Sequence, residues 1–380
     1  MKNNFVHIDN NNKLGLYIHI PFCRKICPYC DFFKMVASNS YQDRYIDYLI
    51  KDFKQNVNQK IDTIYIGGGT PSSLSIQNLN RLLKTIFDKV KFVEEFTIEL
   101  NPEDINYDLI KLLRKYPITR ISLGIQTFNK KFQALLNRYS EFDDILEKMN
   151  LLRLAGFDNI NVDLMYGFAS QTHSDLLKDI DQICLLRPTH ISTYSLILEE
   201  KTIFYHEYLK GNLSLINEDL ESEMYYKIIR ELKQRGFEHY EISNFAKKDY
   251  ESKHNLLYWQ NGEYLAIGAG ASGNYQNYRY KITTKINDYY SAIDNHKRAL
   301  VENEFIDIDS KMAEEIMLGL RTIVGVSITN FKIKFQKELF DVFPNCLELI
   351  KQGFLEVNDD CLRITENNYY ISNAIICKII

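Results

Sequence analysis

A single tryptophan, seven prolines and no long apolar run characterise this 380-residue sequence more than any excess does. A helix crossing a bilayer needs about 20 consecutive apolar residues, and no stretch comes near that. Charge of one sign is missing too: 46 basic residues face 50 acidic ones, a net charge of −4. A general nucleic-acid binder is usually strongly basic, so no nucleic-acid partner is expected. Cysteine is sparse and odd in number, at seven. A chain of this length buries its core without a disulfide framework. The opening MKNNFVHIDNNNKLG is polar and lacks the apolar centre of a signal peptide. The expectation is a soluble cytoplasmic chain with reduced thiols, in two or three domains.

What is present is periodic. Short β-type runs at 14–20, 63–69, 95–100, 120–126, 159–166 and 190–196 alternate with amphipathic helical patterns at 41–55, 76–89, 105–115, 142–155 and 174–186. Six β-then-α units imply parallel strands with right-handed crossovers, in an α/β fold that is either an open doubly wound sheet or a full or partial barrel. Pro21, Pro71 and Pro102 each follow directly on a strand, which makes the loops after the strands the working face. The core is placed at 1–215 and a bridging region at 216–280. The segment 281–380 follows, with helices and then a hairpin from GFLEV (353–357) and CLRIT (361–365). The four glycines of NGEYLAIGAGASG (261–273) require a tight turn or a close approach.

The strongest chemical signal is CxxxCxxC: Cys23, Cys27 and Cys30 directly after the first strand. An iron–sulfur cluster ordinarily takes four thiolates; three would leave one iron of a four-iron cube open to a non-protein ligand. Structural zinc is the alternative, and it needs a closed tetrahedron completed by His19 or Cys184. The scattered Cys184, Cys346, Cys361 and Cys377 fit ordinary burial. GGGTPS (67–72) ends the second strand without the spacing of a nucleotide loop. Glu99, Gln126 and Asp163 interrupt apolar strand runs, and Arg138 lies twelve residues beyond Gln126. Buried carboxylates pair or bind a ligand, and a structural pair of Glu99 with Arg120 is the plain alternative.

The cysteine triad on the first β/α loop resembles the radical S-adenosylmethionine superfamily. That resemblance implies a partial (β/α)6 TIM-like barrel with a [4Fe–4S] cluster on Cys23, Cys27 and Cys30. It further implies that the open iron is chelated by S-adenosylmethionine, whose one-electron reduction yields a 5′-deoxyadenosyl radical. Tyr29 matches the position of an aromatic against adenine, and Gly68, Gly69 and Thr70 match the segment that meets the methionyl group. Tyr17, Glu99, Gln126, Arg138 and Asp163 match cofactor contacts of the coproporphyrinogen III oxidase-like branch.

Two groups share that branch. Oxygen-independent coproporphyrinogen III oxidases carry CxxxCxxCxC and an additional N-terminal segment. Here Phe32 holds the place of the fourth cysteine and 22 residues precede Cys23. CxxxCxxCxF is similar to the HemW family of haem chaperones, as is HNxxYW at His254, Asn255, Tyr258 and Trp259. The resemblance implies haem as a third cofactor with His254 as its ligand, since neutral imidazole is a good axial ligand. A satisfied core histidine beside two aromatics is the alternative reading of His254. A winged-helix-like C-terminal module is also implied. The implied partners are haem, an apo-haem protein acceptor of respiratory type, a low-potential electron donor and a second copy of the chain. A visit to the membrane periphery is compatible with this reading.

Overall fold

The computed structural model describes residues 13–380, so most of the polar opening stretch lies outside the described residues. The six expected strands form as β1 (Leu14–Ile20), β2 (Thr63–Gly68), β3 (Glu95–Leu100), β4 (Arg120–Gln126), β5 (Ile160–Tyr166) and β6 (His190–Ser195). They lie side by side in chain order, every neighbouring pair parallel. A doubly wound sheet reverses its strand order at a switch point; this one never does. Repeated right-handed crossovers then keep the helices on one side, and the partial (β/α)6 barrel is the shape formed.

The crossover helices are α1 (Asn39–Asn56), α2 (Ile76–Lys89), α3 (Tyr107–Leu113), α4 (Lys130–Leu136), α5 (Phe142–Leu154) and α6 (His173–Leu185). Side-chain caps start most of them: Ser38, Ser75, Asn106 and Asn129 each accept a backbone N–H, and Thr172 forms a reciprocal capping box with Asp175. Helix α4 escapes the sequence pattern because only seven residues separate its caps.

Parallel strands covered on both faces read as continuous apolar runs, so the exceptions are informative. Along β1 only Tyr17 escapes full burial, along β3 only Glu99, along β4 only Gly124 and along β5 only Asp163; on β2 they are Tyr65 and Gly68. These positions line an open interior, and most of them are polar.

The segment expected to bridge is built into the sheet. After α7 (Ile203–Leu209) and α8 (Glu218–Gln234), β7 (Glu238–Glu241) and β8 (Asn244–Ala246) extend the β6 edge antiparallel. Helix α9 (Lys253–Trp259) then leads to β9 (Glu263–Ile267), which pairs parallel with β1. β10 (Ser272–Tyr275), β11 (Tyr278–Ile282) and β12 (Leu300–Phe305) complete a twelve-stranded sheet around α10 (Ile286–Asp294). The glycines after β9 are there for close approach. At Gly268 (φ +93°) a Cβ would lie 2.6 Å from the His19 carbonyl, and at Gly270 (φ +84°) 2.9 Å from Phe33.

The C-terminal part packs α11 (Ile308–Gly319) and α12 (Ile328–Phe335) with further short helices on a small antiparallel sheet. Its hairpin, β14 (Leu355–Asn358) and β15 (Cys361–Ile364), is the one expected, and the two-residue β13 (Val326–Ser327) adds a third strand. Among the described residues no helix is long and apolar enough to cross a membrane.

Candidate functional site

The cysteines lie on a loop closed at its base. The Met35 N–H donates to the Pro21 carbonyl (2.7 Å) and the Cys23 N–H to the Met35 carbonyl (3.0 Å), while Cys30 N–H turns back to Cys27 (3.3 Å). All three thiols are half-buried and free. Among the described residues no three His, Cys, Asp or Glu converge tightly enough to hold one metal ion. A four-iron cube binds each thiolate at a different iron. Burial pushes the Cys23 thiol up to about 11, against a hydrogen bond with Thr70 that lowers it.

From Cys23 a polar chain runs around the barrel mouth. Cys23 Sγ meets Thr70 Oγ1 at 3.6 Å, and Asn101 Nδ2 donates to that hydroxyl at 3.3 Å. Arg138 donates to Asn101 Oδ1 (2.8 Å) and to the Gly124 carbonyl (3.0 Å). A Cβ on Gly124 would lie 2.8 Å from the Arg138 guanidinium, 3.1 Å from Gln126 Nε2 and 3.9 Å from Asp163 Oδ2. Gln126 itself adopts φ 75° where the β4–β5 register shifts. A non-glycine residue in that region is strained and stays there only where its surroundings fix it. Gly69 is cradled by backbone: its N–H donates to the Ile20 carbonyl at 2.8 Å, and a Cβ would meet the Phe22 carbonyl at 2.7 Å. Tyr29 lies beside Cys27 and leans towards Phe204, ring centroids 6.4 Å apart.

Inside the barrel, Glu99 accepts from Tyr65 Oη (2.7 Å) and the Gly68 N–H (3.3 Å), and Asp163 accepts from Asn161 Nδ2 (2.7 Å). Tyr17 meets His19 Nδ1 at 3.0 Å, and His19 Nε2 donates to the Phe33 carbonyl at 2.8 Å. That bond fixes the proton on Nε2, so Tyr17 donates. Burial raises Glu99 to about 7, with Asp163 adding to the effect, and raises Asp163 to about 6. A raised carboxylate stabilises the fold below its unfolded value and loses that contribution as pH rises through the folded one. Glu99→Gln should therefore gain about 2 kcal/mol on the wild-type chain between pH 5 and pH 8. Urea unfolding of the metal-free chain at both pH values measures this; identical pH slopes would refute it.

The donor set suits the implied cofactors. Arg138 is a largely buried guanidinium held by two neutral carbonyls, a place for a ligand carboxylate. Glu99 and Asp163, each bonded to neutral donors, are places for hydroxyl, amino or sulfonium groups.

His254 lies elsewhere. Its Nδ1 meets Thr63 Oγ1 at 2.8 Å and its Nε2 meets Tyr258 Oη at 2.7 Å, both in full burial. Glu95 anchors α9 by accepting from the Lys253 N–H (2.9 Å) and the His254 N–H (3.1 Å). Thr63 and Glu95 are the first residues of β2 and β3. Thus α9 plugs the strand-start end of the barrel, roughly 20 Å, the length of a seven-residue strand, from the cysteine loop. Neither His254 nitrogen is open to iron in this fold, and the satisfied core histidine is the reading its surroundings support. His19 is likewise occupied on both nitrogens, and Cys184 sits on α6 beside Arg235 and Lys247; neither completes a zinc set. Arg120 donates to Asn159 Oδ1 (3.0 Å) rather than to Glu99.

Tyr65, Asn101, Gly124 and Asn161 are part of the site and were not singled out from sequence. Tyr65 had a signal, standing opposite Tyr17 once β1 and β2 are paired. Asn101 and Gly124 had none beyond their place at strand ends.

A model of the radical SAM superfamily matches residues 17–183, and one of the HemN C-terminal domain matches 306–370. The structure of coproporphyrinogen III oxidase (HemN) from Escherichia coli, a radical SAM enzyme, superimposes with a TM-score of 0.84 at 23% identity, over 97% of this chain and 90% of that one. That likeness establishes the fold. Heme chaperone HemW of Bacillus subtilis is 35% identical over 94% of this chain and 97% of its own, and that of Escherichia coli 30% over 96% and 97%. The Lactococcus lactis protein of the same name reaches 39% over 95% of this chain and 96% of its own. The chain belongs to the HemW family, within the radical SAM superfamily.

Proposed function

We propose that this chain is a cytoplasmic haem chaperone that binds a [4Fe–4S] cluster, S-adenosylmethionine and haem, and passes haem to an apo-protein. Phe32 carries the reading. Where the oxidases hold a fourth cysteine, this chain has an exposed phenylalanine, and relatives similar along its whole length are named heme chaperones.

In this reading Cys23, Cys27 and Cys30 hold the cluster. The cofactor lies against Tyr17, Tyr29, Gly68, Gly69, Thr70, Glu99, Gln126, Arg138 and Asp163. Cluster and cofactor would supply one-electron reductive chemistry, drawing on a low-potential donor. The chain's own groups orient: Arg138 takes a carboxylate, and Gly68 and Gly69 let backbone approach where a side chain would collide. Glu99 and Asp163 receive hydroxyl or amino donors, and Tyr29 offers a ring. The acceptor is an apo-haem protein of respiratory type, reached at the membrane periphery, and the working unit is a homodimer.

Anaerobic reconstitution should yield a brown protein with about four irons per chain, and a haemin-loaded chain should transfer haem to an apo-cytochrome. A colourless zinc protein would overturn the cluster. Conversion of coproporphyrinogen to protoporphyrinogen in the presence of reductant and S-adenosylmethionine would replace the chaperone by an oxidase.

A further inference from the structure

On the haem reading proposed above, iron needs an accessible axial ligand, and His254 does not offer one. His19 and His190 are buried with both ring nitrogens engaged, His190 by Asn161 (2.6 Å) and Tyr240 (2.7 Å). His239 is stacked on Phe245, centroids 4.6 Å apart, with Nε2 on the Ile242 carbonyl. His173 Nε2 is on Glu223 and His296 Nδ1 on Gln55. Among the described residues two exposed imidazoles keep a nitrogen free: His296, whose Nε2 has no partner but which stands among Asn295, Lys297 and Asp294, and His206, on which neither nitrogen makes a hydrogen bond and whose close ring neighbour is Tyr205, edge-on at 6.2 Å.

The surroundings of His206 suit a flat apolar ligand with acidic edges. Helix α7 is fixed from below by Phe204: its N–H donates to the Pro28 carbonyl at 3.0 Å, and its ring joins a small buried cluster with Phe132, Phe168 and Leu196. Pro28 lies between Cys27 and Cys30, so α7 is seated directly on the cysteine loop. At 100° per residue His206 projects nearly opposite Phe204. Ile203 and Leu209 stand one turn before and one turn after it on that outward side, 53% and 63% exposed. These two aliphatic side chains flank the open imidazole on both sides, so a flat apolar ligand held by it would cover them. Lys210, four residues on, is exposed and held only by a surface pair with Glu207 (2.9 Å). Such pairs are weak and can yield to a ligand carboxylate.

We propose that His206 is an axial ligand for haem iron, with the porphyrin lying over Ile203 and Leu209 and a propionate on Lys210. A neutral imidazole is the ligand type haem iron takes most readily. The porphyrin then sits on the far side of α7, about one helix diameter (~10 Å) from the cysteine loop, and faces solvent. An exposed site suits hand-over to another protein.

Haemin titration of the reconstituted full chain, followed by the Soret band, tests this. His206→Ala should weaken binding at least tenfold and alter the spectrum, and free imidazole should restore the spectrum. Ile203→Asp should weaken binding with the wild-type spectrum retained at saturation. Circular dichroism of both variants should match the wild type, since both side chains are exposed. Unchanged affinity and spectrum in His206→Ala, with wild type binding haemin, would overturn the assignment and leave the chaperone reading intact. Failure of the wild type itself to bind haemin would overturn the haem reading on which the assignment stands.

Discussion

Replacement of Cys23, Cys27 or Cys30 by Ala is expected to reduce iron in the anaerobically reconstituted chain from about four per molecule to near zero. A cluster held by three thiolates has no spare protein ligand, and Cys184 is committed to the outer helix layer beside Arg235. The fold should survive each change. The loop base is closed by backbone hydrogen bonds between Pro21, Cys23 and Met35, which an Ala side chain leaves in place. Iron and sulfide analysis with far-ultraviolet circular dichroism makes the measurement. Near-wild-type iron in any one variant would show that the cysteine concerned is not a ligand. Cys346→Ala is the control: Cys346 is fully buried in the C-terminal part, and its loss should cost some stability and no iron.

The second large effect is on stability. His254→Ala should destabilise the chain by about 3 kcal/mol. It removes a fully buried ring, orphans the Thr63 and Tyr258 hydroxyls, and opens space beside Gly15, where a Cβ would lie 3.2 Å from His254 Cε1. Burial lowers the His254 imidazole to about 3, so it is neutral in the fold. Its contribution is complete above the unfolded value near 6.5 and drains away as pH falls towards the folded one. The gap between variant and wild type should therefore narrow from pH 7 to pH 5. Urea unfolding at the two pH values, paired with haemin titration of the folded variant at pH 7, separates the two roles proposed for this residue. Stability unchanged with haem binding lost would restore His254 as the ligand.

Much of the site is legible in the sequence. The strand runs stand out because parallel strands covered on both faces are continuously apolar, and each polar interruption is then conspicuous. Tyr17, Glu99 and Asp163 are the partly open positions of β1, β3 and β5. Gln126 and Arg138 are legible individually, but not the fact that both crowd Gly124. Asn101, which links Thr70 to Arg138, carries no signal. An asparagine after a strand is ordinary turn chemistry until its two partners are known.

The region after residue 215 is the least legible. Short strands such as β8, β9 and β10 are too brief for a two-residue alternation to declare itself. The pairing of β8 with β6 and of β9 with β1 joins residues far apart in the chain, and no local pattern encodes that.

Sequence alone determined the pattern on which the cofactor proposal rests: seven cysteines resolve into three closely spaced ones and four scattered ones, and Phe32 separates this chain from the oxidase pattern. It also determined the order and kind of the six core elements, because hydrophobic periodicity is a local property. Tertiary structure alone decided which end of the barrel each motif occupies. HNxxYW has the composition of a ligand site, yet Glu95 and Thr63 draw its helix to the strand starts, where burial satisfies both imidazole nitrogens. His206 has no motif at all, and the packing of Phe204 under the cysteine loop turns its ring outward. Accessibility is set by what packs against a side chain, and those neighbours come from distant parts of the chain.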